Sequence, residues 1–209
     1  MTMIPGEHDD RGAHFALASK RRWYPFDPKP DECEWSDVGS GLSRVCRFNG
    51  QLPPDGVCTE EDSYSVAQHC VLAGDLLLAE HPDAQAWLRL AVHIHDGEEA
   101  LSGLGDPVGP VKRAPQLEMI LRPYLDTIQD AVALKAGLRG ADLRSPLVKE
   151  YDKLVYAWED RDIRGNAPPD YIADRLPKKK IRPWRSEVAF AWWMSRLQEL
   201  ISTTGYRRA

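Results

Sequence analysis

The chain has no long apolar run. Its longest uninterrupted stretch, residues 188–194, is seven residues long, whereas a membrane-spanning helix needs roughly 20, so no span is expected. It opens without a basic-then-apolar leader, which argues against secretion. Cysteine is scarce: Cys33, Cys46, Cys58 and Cys70 form no CxxC pair. They are too few for a disulfide scaffold and read as reduced thiols of a cytoplasmic protein. Positive charge is not in excess either, with 27 Lys and Arg against 32 Asp and Glu and a net charge of −5. A dedicated binder of long nucleic acid carries the opposite balance, so any positive pocket must be local. Extended period-two alternation is missing, as is any internal repeat.

What is present is an ordinary globular composition, 43% hydrophobic and 28% charged over 209 residues, which suits one domain spanning 1–209. Residues 1–30 are polar and end in Tyr24-Pro25-Phe26-Asp27-Pro28-Lys29-Pro30, an irregular arm laid on the core through Trp23, Tyr24 and Phe26. Helical spacing then dominates. Trp35, Val38, Leu42 and Val45 mark a first helix, and Pro53-Pro54-Asp55-Gly56 a turn. Ser63 is placed to cap a second helix carrying Val66, His69, Cys70, Ala73 and Leu77, which stops at His81-Pro82. Asp83 is placed to cap a third, with Leu88, Ala91, Val92, His95 and Glu99 aligned. A fourth covers about 117–135, closed by Gly137. A fifth begins at Ser145-Pro146 with Leu147, Val148, Tyr151, Val155 and Trp158 buried, and a last helix covers 186–201. The expected fold is all-α, a bundle of five to seven helices.

Three helices carry polar residues where apolar ones belong. His69 lies three residues after Val66, His95 four after Ala91 with Asp96 beside it, and Asp152 four after Val148. A buried carboxylate without a partner costs several kcal/mol. A divalent cation would neutralise both carboxylates and use both imidazoles.

The order His69, His95-Asp96, Asp152 resembles the H…HD…D signature of the HD-domain metal-dependent phosphohydrolases. Ser43-Arg44-Val45-Cys46-Arg47-Phe48-Asn49-Gly50 and Tyr64-Ser65-Val66-Ala67-Gln68-His69 are similar to segments of the phage and prophage branch of that superfamily. So are His95-Asp96-Gly97-Glu98-Glu99-Ala100, the stretch from Gly105-Asp106 to Lys112, Val148-Lys149-Glu150-Tyr151-Asp152 and Glu159-Asp160-Arg161-Asp162. That branch is similar to bacterial 5′-deoxynucleotidases and phage dATP triphosphohydrolases. The resemblance implies an HD-type bundle and hydrolysis of a deoxynucleoside triphosphate such as dATP or of a 5′-deoxynucleoside monophosphate. It implies one Co²⁺, Mn²⁺ or Zn²⁺ on His69, His95, Asp96 and Asp152, and a second divalent ion such as Mg²⁺ arriving with the substrate phosphates. The implied partner is a small nucleotide, in the host cytoplasm if the protein is phage-encoded, and the family leans towards a homo-oligomer.

Glu99 takes the position of the family's activating glutamate, one turn beyond His95. Asp106 is a second acid or holds a phosphate loop, although the intervening segment is two residues longer than the family pattern and leaves Leu104 as the alternative occupant. Arg47 and Lys112 are the candidate phosphate contacts, with Arg44 and Arg113 behind them. Gln51 and Phe48 are candidate substrate-wall residues, Gly50-Gln51 standing where the deoxynucleotidases carry Arg-Trp, and a purine is expected to stack on Phe48 or Trp23. Glu98 reads as solvated, His93 as turned away from the metal shell, the basic run from Lys178 to Arg185 as a solvated loop, and Trp192-Trp193 as a pair that does not wholly face inward. Hydrolysis of a cyclic or signalling nucleotide, and a non-catalytic nucleotide-binding module, are the competing readings.

Overall fold

The computed structural model describes residues 8–53 and 63–204. Ten α-helices occur among them: α1 (Trp35–Leu42), α2 (Val66–Glu80), α3 (Ala86–Ile94), α4 (Gly97–Leu101), α5 (Gly109–Lys112), α6 (Pro115–Lys135), α7 (Gly140–Leu143), α8 (Pro146–Asp162), α9 (Asp170–Ala173) and α10 (Ser186–Thr203). Six of these have eight residues or more, and the other four are single turns. The fold is all-α. No helix among the described residues is long and apolar enough to cross a membrane.

Helix α2 is the axis of the molecule, packed against α3, α8 and α10. Val66, Ala67, Cys70, Val71, Ala73 and Leu77 bury it on several sides, as expected of a helix apolar nearly all round. His69 and Gln68 on it are therefore carried into the interior, while Asp75 and Glu80 keep to its exposed side. Helix α8 starts as its sequence requires, with Pro146 at the first position and the Ser145 side chain accepting from the Val148 N–H.

Several expectations are corrected. Among the described residues the arm is largely turn and coil, with two short hairpins in it. Strands β1 (His8–Asp9) and β2 (Gly12–Ala13) pair antiparallel, as do β3 (Phe15–Ala16) and β4 (Arg22–Trp23). Trp23 anchors the arm, fully buried and donating to the Leu101 carbonyl at 2.8 Å, but Phe26 is 74% exposed. The α2 cap is Ser65 rather than Ser63, accepting from the Gln68 N–H. Backbone bonds from the Arg47 N–H to the Tyr64 carbonyl and from the Val66 N–H to the Val45 carbonyl hold 64–65 extended, so the helix cannot begin sooner. Asp83 caps nothing, because a turn from His81 to Ala84 absorbs it and α3 begins after Gln85. Leu147 is exposed. The proline-glycine turn at 54–56 and Cys58 lie outside the described residues; Cys33, Cys46 and Cys70 are free thiols.

The largest departure is at the third expected helix, which breaks at Asp96 (φ −101°, ψ 19°) into α3 and α4. The His95 carbonyl accepts from Gln129 Nε2 at 2.7 Å, and the Glu99 N–H turns to the Asp96 carbonyl at 3.0 Å. An α-helical bond from Glu99 to His95 is thereby replaced. Gly97 permits the new direction: a Cβ there would lie 2.8 Å from Val132 Cγ1 on α6.

Candidate metal centre

His69 on α2, His95 and Asp96 at the α3–α4 break, and Asp152 on α8 converge. His69 Nε2 lies 3.4 Å from His95 Nε2, 3.3 Å from Asp152 Oδ1 and 3.6 Å from Asp96 Oδ2. His95 Nε2 lies 3.3 Å from Asp96 Oδ2 and 3.9 Å from Asp152 Oδ1. Donors sharing one ion at about 2.0–2.2 Å stand roughly 3–3.6 Å apart. The break at Asp96 makes this possible, since it turns adjacent residues towards one point.

Both imidazoles are held with Nε2 facing that point. The Val92 carbonyl, which can only accept, takes the His95 Nδ1 proton at 2.8 Å, and Glu159 Oε1 takes that of His69 at 2.6 Å. A carboxylate or carbonyl behind a histidine is the usual way to fix a ligand's tautomer and orientation. Burial works against charge at these groups, yet the local field reverses it. Asp96 beside His95, and Glu159 and Asp152 beside His69, raise both imidazoles above the ordinary histidine range. The two imidazoles in turn hold the Asp152 carboxyl well below the carboxylate range. Two overlapping triads result, His69 with His95 and Asp152 and His95 with Asp96 and Cys70, and each brings its ligand-type atoms within 4.8 Å of one another, a donor chemistry suited to a divalent cation.

An ion-pair chain surrounds the cluster. Glu159 is fully buried and also accepts from Tyr64 Oη at 2.8 Å and Arg47 Nη2 at 3.1 Å. Arg47 Nη1 reaches Asp106 Oδ2 at 3.0 Å, Lys112 Nζ lies 3.5 Å from Asp106 Oδ1, and Lys112 donates to Glu99 Oε1 at 2.7 Å. The chain thus runs Glu99–Lys112–Asp106–Arg47–Glu159–His69. Phe48 and Asn49 adopt left-handed backbone, φ 57° and 52°, in the turn that buries Arg47. Such conformations cost of order 1–3 kcal/mol each and persist where the surroundings enforce them.

Glu99 is buried, and its Oε2 has no hydrogen-bond partner. Burial first, then Asp96, pushes its carboxyl well above the usual range. Glu98 is buried too, against expectation, because the break rotates α4 relative to α3; its carboxyl is pushed up to about 8 by burial and then Asp96. Asp106, not Leu104, reaches the cluster; Leu104 is 46% exposed. Lys112 is the more open of the two cations, whereas both guanidinium ends of Arg47 are taken by carboxylates. Arg44 and Arg113 are exposed, and Arg44 bonds the Ser40 carbonyl. Gln51 is exposed on the loop after the 47–50 turn. Phe48 is packed edge-on against Tyr156, ring centres 5.9 Å apart, and Trp23 is sealed in the core, so neither offers the open face expected of a stacking ring. His93 is turned away, bonded to the Trp193 carbonyl and stacked on the Trp193 ring. Trp193 is buried and Trp192 half exposed. The basic run has exposed side chains, but Gln68 pins its backbone at the Arg182 carbonyl and the Trp184 N–H.

Sequence reasoning gave Glu159 no role. It lies seven residues after Asp152, on the same buried stripe, which was the available signal. Cys70 was read only as a thiol, yet its Sγ falls within 4.8 Å of ligand atoms of His95 and Asp96. Burial pushes that thiol up to about 11.

Fold and site together define an all-α protein with a buried His/Asp cluster able to hold a metal ion. No protein-family model matches the chain. A protein of Rhodobacter capsulatus, described as uncharacterized, is 34% identical over 166 residues, spanning 77% of this chain and 76% of the relative. The chain belongs to the same family as that protein.

Proposed function

We propose that this protein is a metal-dependent phosphohydrolase of the HD type acting on small nucleotides, with deoxynucleoside triphosphates or 5′-monophosphates as the substrate class. The observation that carries this reading is the convergence of four ligand-type donors whose imidazoles are fixed from behind by Glu159 and the Val92 carbonyl. His69, His95, Asp96 and Asp152 would hold one Co²⁺, Mn²⁺ or Zn²⁺, which supplies Lewis acidity towards a phosphate oxygen and water.

The chain's own residues supply the rest. Glu99 has a buried oxygen without a partner and a carboxyl of raised basicity, which suits it to orient water and accept its proton. Lys112 holds the other Glu99 oxygen and is the accessible cation for a substrate phosphate. Arg47 and Asp106 keep Glu159 and Lys112 in place.

The test is a panel of dNMPs, dNTPs and ATP incubated with metal-loaded protein, products identified by chromatography. Turnover of at least one deoxynucleotide is expected, with Asp96→Ala and His69→Ala losing both metal and activity. Glu99→Gln should keep the metal and lose ~10²–10⁴-fold in rate. Wild-type metal content in both ligand variants, or no turnover by metal-loaded wild type, would sink the reading.

A further inference from the structure

The metal cluster is not sealed on all sides. Asp152 keeps 41% of its side chain exposed, while the other three ligands are nearly covered. The opening therefore lies along α8. One turn further on the same helix face is Tyr156, since residues four apart stack along a helix with Cβ atoms about 5–6 Å apart. Tyr156 is a large aromatic left 45% exposed at the edge of a buried charged site.

Its ring is held from behind. Phe48 meets it edge-on at 5.9 Å, and Arg164 places Nη1 3.4 Å from the Tyr156 hydroxyl while its guanidinium carbon lies 5.1 Å from the Phe48 ring centre. Arg164 is in turn fixed by Asp160 at 3.1 Å. The left-handed backbone at Phe48 serves two ends at once, turning Arg47 inward to Asp106 and Glu159 and setting the Phe48 ring under Tyr156. Beyond Tyr156 the surface continues into a pocket of about 490 Å³ between α8 and the segment leading to α9, where Tyr156, Tyr171, Pro168 and Pro169 face a lining that also carries the charged Glu150, Lys153, Asp160 and Arg175. That volume is within the range of small-molecule sites, and the two tyrosines and two prolines offer a flat organic group apolar contact beside polar groups that can fix its orientation.

We propose that Tyr156 is the platform on which the planar organic part of the substrate lies, with Phe48 and Arg164 as its supports, so that the group carried by the phosphate extends from the Asp152 side of the metal cluster along α8. The chemical class is an aromatic heterocycle joined to a phosphate through a short polar linker, which a nucleoside phosphate satisfies. This inference rests on the reading of the cluster as a phosphate-ester site, and it adds the residue that selects the ester.

The experiment is equilibrium binding to metal-loaded protein of two non-hydrolysable probes, the phosphonate analogue of deoxyadenosine 5′-monophosphate and that of deoxyribose 5-phosphate, the second lacking the base. Wild type should prefer the first. Tyr156→Ala should reduce that preference about 5- to 150-fold, the range for losing one base–aromatic stack, and Tyr156→Phe should retain it. A preference undiminished in Tyr156→Ala, or equal wild-type affinity for both probes, overturns the platform while leaving the phosphate site standing. Failure of wild type to bind either probe overturns both. Circular dichroism of each variant separates loss of binding from loss of fold.

Discussion

At the scale of single residues, Glu159 is the most exacting position in the molecule. It brings a full negative charge into the interior, and three donors, His69, Tyr64 and Arg47, meet it there. Removing one member of such a group leaves the others buried without compensation. Glu159→Gln preserves the shape but loses charge opposite both His69 and Arg47. Metal affinity should fall about 10- to 100-fold, the usual consequence of losing the group that orients a ligating histidine. Metal titration by calorimetry checks it, and unchanged affinity would show that His69 is oriented without Glu159. The four candidate ligands were legible in the sequence because His69, His95 and Asp152 interrupt apolar stripes and Asp96 adjoins one of them. Glu159 was not, since a glutamate late in a helix ordinarily reads as solvated. The setting of Tyr156 was equally hidden: its ring packs on Phe48, whose orientation depends on a left-handed backbone no side-chain pattern announces.

At the scale of elements, the decisive feature is the junction of α3 and α4. Continuous periodicity through His95 and Glu99 predicts one helix, and the prediction fails because Gln129, 34 residues away on α6, takes the His95 carbonyl. A long-range side chain replaces a local hydrogen bond, which local spacing cannot reveal. The start of α2 shows the same lesson, its cap displaced to Ser65 by pairing with residues 45–47. The start of α8 was readable because Ser145-Pro146 decides it locally. Gly97 makes the junction testable. Gly97→Ala would place a methyl 2.8 Å from Val132 Cγ1 and push α4 off α6, carrying Asp96 and Glu99 with it. Overpacking of this kind costs about 1–3 kcal/mol. We expect Gly97→Ala to lower thermal stability and weaken metal binding together, and Gly97→Ala with Val132→Ala to recover part of both. A Gly97→Ala protein with wild-type melting and metal affinity would mean that α4 does not rest on α6 as described.

At the scale of the whole molecule, the candidate ligands come from α2, the α3–α4 junction and α8, residues separated by up to 83 positions between His69 and Asp152. An ion shared among them would cross-link the central helix to two neighbours. Anything that binds only the folded state stabilises it by mass action, about 2.7 kcal/mol when the free ligand is a hundredfold above its dissociation constant. For a chain of this size each kcal/mol moves the melting temperature by roughly 2–4 °C. Saturating Co²⁺, Mn²⁺ or Zn²⁺ should therefore raise the melting temperature of wild type by roughly 5–11 °C, and excess chelator should return it. Asp96→Ala should melt at one temperature in both conditions, because the donor set is incomplete. If wild type fails to respond, or Asp96→Ala responds as strongly, the stabilising ion sits somewhere other than this cluster.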